Sequence, residues 1–214
     1  MKRYKLIIFD WDGTLMDSIG RIVSSMQSAA AQLDLHTPSE QAVKNIIGLS
    51  LPIATEMLFP FCTDQQVEQL LKYYKAHYVN RDNTATPLFE GALSLLKQLK
   101  DKEHLLAVAT GKGSDGLERV MAQTATKSFF NATRCADESE SKPSPDMILQ
   151  ILEQLNINCQ NAVMIGDTIH DMAMAKNASI DCIGVTMGAH SGEVLAEFDP
   201  IAIVDSLTEL THIL

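Results

Sequence analysis

The sequence predicts an α/β protein, a parallel sheet flanked by helices, with an all-α cap inserted near its start. Three observations predict it. Leu6 to Phe9, Leu105 to Ala109 and Ala162 to Ile165 are short apolar runs without polar alternation, so they read as strands buried on both faces. From Pro87 onward such runs alternate with helical periods, the texture of a Rossmann-like sheet. Between residues 18 and 85 helical periods stand alone, with no convincing strand. The expected division is a core of residues 1–17 and 86–214 and a helical cap of residues 18–85.

Taken in order, the first strand stops at Asp10, and Gly13 opens a turn directly after it. Ile19, Ile22, Val23 and Met26 recur at helical steps, as do Val43, Ile46 and Ile47. Ser39-Glu40-Gln41 reads as a helix start and Gly48 as its stop. Pro52 suits a first helical turn before Ile53, Met57 and Leu58. Val67, Leu70, Leu71, Tyr74 and Tyr78 form one more stripe, ended by the polar run Asn80 to Thr84. About four helices result, and their aromatic and methionine side chains read as core packing. Further on, Gly91 to Leu99 is helical, and Ser114 or Asp115 is expected to cap the helix that follows the second strand. A weak strand near Asn131 to Cys135 leads into a polar loop containing Lys142-Pro143. Pro145 then suits the first turn of a helix, and Thr168 caps another that runs to about Ala178. Cys182 to Val185 and Ile201 to Val204 complete the strands.

Composition narrows the function. The 214 residues, 46% hydrophobic, supply an ordinary globular core. A formal net charge of −10 argues against a nucleic-acid partner. It does not argue against a small anionic substrate, because one lysine and a metal can reverse the local field. Cys62, Cys135, Cys159 and Cys182 form no Cys-x-x-Cys pair, so free thiols in a reducing compartment are expected. The apolar run behind the basic residues Lys2 and Arg3 is short and ends in Asp10, unlike a signal peptide. No stretch reaches the ~18 apolar residues of a membrane helix. A cytoplasmic protein is expected. Oligomeric state is not legible.

The chemistry concentrates at strand ends. Asp10 and Asp12 converge where the first strand opens, and like charges held close resist joint ionisation unless a cation or proton separates them. One aspartate there could be a turn residue bonding its own backbone; two point to a metal-dependent carboxylate site. Thr110, Lys142 and Asp167 also fall just after expected strands, and in open α/β sheets ligands sit beyond the carboxyl ends of the strands. Taken singly, Thr110 is equally well a helix cap, Lys142 a solvated loop lysine and Asp171 an exposed helix residue. Their order behind the first acidic pair is what favours a site. His170 and His190 read as polar surface or loop residues, and Lys112 as a surface charge near the pocket.

With those landmarks the chain resembles the haloacid-dehalogenase superfamily of phosphatases, in the group whose helical cap follows the first motif and which includes phosphoglycolate-phosphatase-like enzymes. Asp10-Trp11-Asp12-Gly13-Thr14-Leu15-Met16-Asp17-Ser18 carries the first motif and Gly166-Asp167-Thr168-Ile169-His170-Asp171 the last. Ser141-Lys142-Pro143 and Thr110-Gly111-Lys112 carry the other two, with Gly111 where many relatives have Asn. The resemblance implies Asp10 as nucleophile, forming an aspartyl-phosphate, and Asp12 as general acid and then base. It implies Mg2+ held by Asp10, Asp167 and the Asp12 carbonyl oxygen, with Asp171 binding or orienting the metal's waters. Thr110, Gly111 and Lys142 would bind the phosphoryl group of a small phosphorylated metabolite. Arg21, Gly48, Ser50 and Arg81 of the cap are candidates for contacting the rest of it.

Rivals remain open. A phosphomutase of the β-phosphoglucomutase type shares Asp12. A dehalogenase or phosphonatase is not expected to carry it. A phospho-aspartate receiver module uses similar residues, but its acidic pair comes earlier than the phosphorylated aspartate and it has no inserted cap.

Overall fold

In the computed structural model, which describes residues 4–214, six strands form one fully parallel sheet. The basic pair Lys2-Arg3 lies outside the described residues. The strands are β1 (Leu6–Phe9), β2 (Leu105–Ala109), β3 (Ala132–Arg134), β4 (Ala162–Gly166), β5 (Asp181–Val185) and β6 (Ala202–Val204). Their order is β3-β2-β1-β4-β5-β6. After β1 the chain builds outward on one side through β2 and β3, then crosses to the other through β4. The carboxyl end of β1 therefore sits at the reversal point where such sheets open a crevice.

Burial explains the apolar runs. Leu6, Ile7, Ile8 and Phe9 are all fully buried because alternate side chains feed two different cores. Ile7 and Phe9 pack against α5 (Ala92–Asp101), α6 (Ser114–Gln123) and α10 (Leu210–Ile213). Leu6 and Ile8 pack against α7 (Asp146–Leu155), α8 (Ile169–Asn177) and α9 (Gly192–Ala196). The short helices α9 and α10 carry too few turns to show a period in the sequence. Where Ser114 or Asp115 was expected to cap α6, Gly113 holds the cap position. Asp137 supplies the missing acceptor from across the loop, bonding the Ser114 amide at 2.9 Å. Pro145 likewise stands at the cap of α7 and not in its first turn.

The segment between β1 and α5 is helical as expected, with α1 (Ile19–Gln32), α2 (Glu40–Lys44), α3 (Leu51–Leu58) and α4 (Asp64–Asn80). Ser39 caps α2 through the Ala42 amide, but the helix ends at Lys44 and continues to Gly48 only as turns. These helices share their own apolar cluster of Ile22, Met26, Val43, Ile47, Leu70 and Tyr78, among others. The chain leaves and returns side by side. The Asp17 amide bonds the Pro87 carbonyl at 2.8 Å, and the Phe89 amide bonds the Leu15 carbonyl at 3.0 Å.

Three contacts seat the helical unit on the sheet's carboxyl edge. The Ser50 amide donates to Ser141 Oγ at 2.8 Å, and His170 Nε2 meets the Asn45 carbonyl at 3.0 Å. The third is a close approach of backbone. A Cβ on Gly111 would lie 2.4 Å from the Gly48 oxygen and 2.5 Å from that of Leu49. Asparagine, which many relatives carry at this position, would collide with this turn. Gly111→Ala should push the helical unit off the loop after β2. A loss of about 1–3 kcal/mol is expected from overpacking, with faster proteolysis between residues 80 and 86. Unchanged stability and protease resistance would show that the two backbones are not held in contact.

Candidate active site

Each sequence-predicted residue arrives from a different strand end. Asp10 follows β1, Thr110 follows β2, Lys142 lies in the loop after β3, and Asp167 follows β4. All four are almost fully buried. Lys142 Nζ lies 2.8 Å from Asp10 Oδ1 and 2.6 Å from Asp171 Oδ1, tying three loops together. Asp171 has a second task. With Thr168 it closes a capping box at the start of α8, its Oδ2 accepting from the Thr168 amide at 3.1 Å and hydroxyl at 2.6 Å.

Asp167 is anchored separately. Its Oδ1 accepts from the Thr14 hydroxyl at 2.7 Å and its Oδ2 from the Ala189 amide at 2.8 Å. Gly13 makes room for it. Its φ of +86° is one that L-residues avoid, and a Cβ there would stand 2.3 Å from Asp167 Oδ2. The glycine of the first motif thus serves both the turn and the approach of the last motif.

The electrostatics of this cluster are unbalanced. Asp10, Asp167 and Asp171 each bring a carboxylate oxygen within 4.8 Å of the others. Burial, opposed by the Lys142 ammonium and reinforced by Asp171 and Asp12, pushes the Asp10 carboxyl up to about 7. Burial together with Asp10 and Asp171 also drives Asp167 well above the ordinary carboxylate range. For Lys142, burial works against the charge, but the Asp10 and Asp171 carboxylates outweigh it and raise the ammonium pKa. Asp10 Oδ2 is buried with no hydrogen-bond partner among the described residues. An orphaned carboxylate oxygen beside two further acids is the donor set that a hard divalent cation takes.

Asp12 stands apart from this group. Its Oδ1 accepts from the Ser18 hydroxyl at 2.6 Å, and its Oδ2 lies 2.8 Å from Lys112 Nζ. Lys112 is therefore not the surface charge expected from sequence. Its side chain is 10% exposed, and the ammonium sits 5.1 Å from the centroid of the Tyr78 ring on α4. Burial opposes that charge, yet the Asp12 carboxylate raises its pKa. Thr110 Oγ1 accepts from the Lys112 amide at 3.2 Å in a local turn and faces the cavity; it does not cap the following helix, whose cap position Gly113 holds. His190 is likewise no surface residue: it is buried, and its Nδ1 accepts from the Ile169 amide at 3.0 Å.

Asp10 and Asp12 form the floor of a cavity of about 290 Å³ between the sheet edge and the helical unit. Thr110, Gly111 and Lys112 form one side, and Ile22, Met26, Ile47, Leu49, Tyr74 and Tyr78 line the other. The methionine and tyrosine stripes thus serve as cavity wall as well as packing. Of the cap candidates, Gly48 lines the cavity, whereas Arg21, Ser50 and Arg81 do not. Arg21 is instead bonded to the Thr84 carbonyl, at the return from the helical unit. Sequence reasoning assigned no task to Thr14, Ser18 or Ser141. The signal was faint: hydroxyls within three to six residues of site carboxylates or beside the site lysine.

Comparison with known proteins shows the family. The family model described as haloacid dehalogenase-like hydrolase matches residues 7–185. "Probable phosphatase IndB" of Dickeya dadantii (strain 3937) is 32% identical over 209 residues, covering 96% of this chain and 91% of that protein. A phosphoglycolate phosphatase of Vibrio cholerae is 27% identical over 221 residues, covering 100% of this chain and 98% of that one. The crystal structure of a hydrolase from Pseudomonas syringae superposes with a TM-score of 0.87 at 25% identity, covering 98% of this chain and 97% of that one. With the motifs, the sheet order and the family match in agreement, the chain belongs to the haloacid dehalogenase-like hydrolases.

Proposed function

We propose that this hydrolase is a Mg2+-dependent phosphatase of small phosphate monoesters, working through a phosphorylated Asp10. The observation that carries the reading is Asp10 itself: Lys142 holds one of its oxygens, and the other is buried without a partner at the floor of a cavity. A carboxylate needs no activating base to act as nucleophile at neutral pH once a cation holds it ionised. Related proteins named as phosphatases over nearly the full chain support the same reaction class.

In this reading one oxygen of the Asp10 carboxylate attacks phosphorus while the other serves the cation, and Lys142 offsets the repulsion between carboxylate and phosphate. Thr110 and the amides of the loop after β2 orient the phosphoryl oxygens. Asp12 protonates the departing alkoxide, then takes a proton from the water that hydrolyses the acyl-phosphate. Its hydrogen bond from Ser18 fixes the orientation of the carboxylate for both steps. Asp10, Asp167 and the Asp12 carbonyl would hold the Mg2+, which supplies charge neutralisation at the transferring phosphoryl group. Asp171, committed to Lys142 and Thr168, orients that site more than it fills it. The helical unit, residues 18–85, acts as a cap that closes over the substrate and excludes water. Small phosphate esters, and four cysteines that pair with one another nowhere in the fold, fit a cytoplasmic setting.

Phosphate release from a panel of small monoesters, with Mg2+ and with chelator, tests the reading directly. Asp10→Asn should abolish turnover in a folded protein of equal or greater stability, because the change removes the nucleophile and relieves carboxylate repulsion. Appreciable Mg2+-dependent release from that variant would sink the covalent route. Asp12→Asn should slow hydrolysis of alkyl phosphates more than that of p-nitrophenyl phosphate, whose leaving group needs no proton. Equal losses on both, with chemistry rate-limiting, would remove Asp12 from the acid role.

Metal binding has its own readout in stability. Asp10 titrates near 7 in the metal-free fold, above the unfolded value of about 3.9, so its ionisation costs stability as pH rises between the two. A cation bound there opposes that loss and competes with the proton. Saturating Mg2+ should therefore raise Tm by several degrees at pH 8, and by clearly less at pH 5.5. A gain of equal size at both values would place the ion elsewhere.

A further inference from the structure

The cavity continues past the reacting carboxylates. Its far wall is mostly apolar, from Ile22, Met26, Ile47, Leu49, Ala54 and Val79. Three cationic side chains reach its lining, and they differ in what they are doing. Lys112 is committed to Asp12 at 2.8 Å. Lys75 is exposed at the rim, where its charge faces Asp137. Arg119, on α6, is half-buried, and no hydrogen bond or ion pair engages its guanidinium among the described residues. A guanidinium partly withdrawn from water and left without an anion is a place where ligand charge is expected.

A second, independent observation lies beside it. Tyr78 is 6% exposed and lines the same cavity, yet its hydroxyl has no hydrogen-bond partner among the described residues. Buried phenols normally find one. The ring is fixed by Lys112 at 5.1 Å and by Arg21 at 5.6 Å from its centroid, so the hydroxyl is held in place, not free to search. Burial first, and then the Asp12 carboxylate, raise its pKa, so it remains a donor. Arg119 is near enough for its charge to act on both Tyr78 and Lys112. Arginine and tyrosine thus present unsatisfied donors together, one side chain removed from the Asp12–Lys112 pair.

Resting on the phosphatase reading above, we propose that Arg119 and Tyr78 form a second anion-binding point, which selects phosphate monoesters carrying a further anionic group beyond an apolar spacer. The phosphoryl group lies on Asp10, the carbon skeleton lies along the α1 and α3 side chains, and the second anion closes on the guanidinium and the phenol. A carboxylate and a second phosphoryl group share the required chemistry. Uncharged esters of equal size leave both donors unpaired, which costs affinity in a cavity walled largely by apolar side chains. Arg119 is in this account a specificity-determining residue and takes no part in bond breaking.

Three esters of one shape separate the possibilities: phenyl phosphate, 4-carboxyphenyl phosphate and benzene-1,4-bisphosphate. Phosphoglycolate against ethyl phosphate adds a short-spacer pair. In the full chain with Mg2+, kcat/KM should favour an anionic member over its uncharged partner by about 10- to 100-fold, as for a charge-assisted hydrogen bond. Whichever anion gains more names the source. In Arg119→Gln that ratio should fall to within about threefold, most of the change lying in KM, and Arg119→Lys should restore part of it. Tyr78→Phe should lower the ratio by a smaller factor. Melting curves confirm that each variant is folded. A wild-type ratio near one, or a ratio unmoved by Arg119→Gln, overturns the second anion point while phosphatase activity stands. Absence of Mg2+-dependent release from every ester in the folded wild type overturns the phosphatase reading, and this inference with it.

Discussion

The site depends on one buried ammonium. Lys142, 1% exposed, holds Asp10 on one side and Asp171 on the other. Taking such charges out of water costs several kcal/mol per ion, recovered only when geometry is good and the remaining lone pairs are satisfied. Here the recovery is incomplete. Three carboxylates share the space with one ammonium, and Asp10 Oδ2 is left without a partner. A protein optimised for stability alone would place leucine or methionine there. Holding excess negative charge in a buried cluster fits the proposed meeting of a cation and an electrophile there.

The rest of the fold follows from that cluster. Lys142, Asp10 and Asp171 come from the loop after β3, the end of β1 and the first turn of α8. Only a parallel sheet whose strand order reverses at β1 points all three carboxyl ends into one crevice. The capping box of α8 and the site share Asp171, so the helix start and the lysine's position stand or fall together. Gly13 and Gly111 serve the same economy of space. One admits the Asp167 carboxylate and the other the Gly48 carbonyl, each at distances that a single methyl group would block.

Much of this was legible in the sequence, and the reasons are local. Runs such as Leu6-Ile7-Ile8-Phe9 can be stable only when buried on both faces, which fixes a parallel sheet and places Asp10 at its edge. The acid pair, the threonine and the lysine are each spaced from an apolar run, so the sheet brings them together without further information. Side-chain partnerships across the insertion were not legible. Lys112 read as solvated because nothing near it in sequence reveals Asp12, a hundred residues earlier, or Tyr78 on a packed helix. The burial of His190, a loop residue as expected, was hidden for the same reason, since its partner is a backbone amide at Ile169. The cap positions of α6 and α7 shifted by a residue because Asp137 and backbone turns supply what the local sequence does not.

Asp12 shows how the two halves of the chain share one task. Its carboxylate is held by Ser18, which opens α1, and by Lys112, which follows β2 and lies against Tyr78 of α4. Two of the groups that define its surroundings therefore belong to the helical unit, and one to the sheet edge. If the helical unit lifts, Tyr78 leaves Lys112 and the pair meets bulk water, where an ion pair has little strength. In the structure the same pair sits against the Tyr78 ring in a cavity walled largely by apolar side chains, and the Ser18 hydroxyl and Lys112 ammonium each hold one Asp12 carboxylate oxygen. Proton transfer to a leaving group needs that fixed orientation and the exclusion of competing water. In the proposed reaction, closure and the acid–base role of Asp12 would run through the same four side chains, Asp12, Ser18, Lys112 and Tyr78, with no separate relay between the helical unit and the carboxylates.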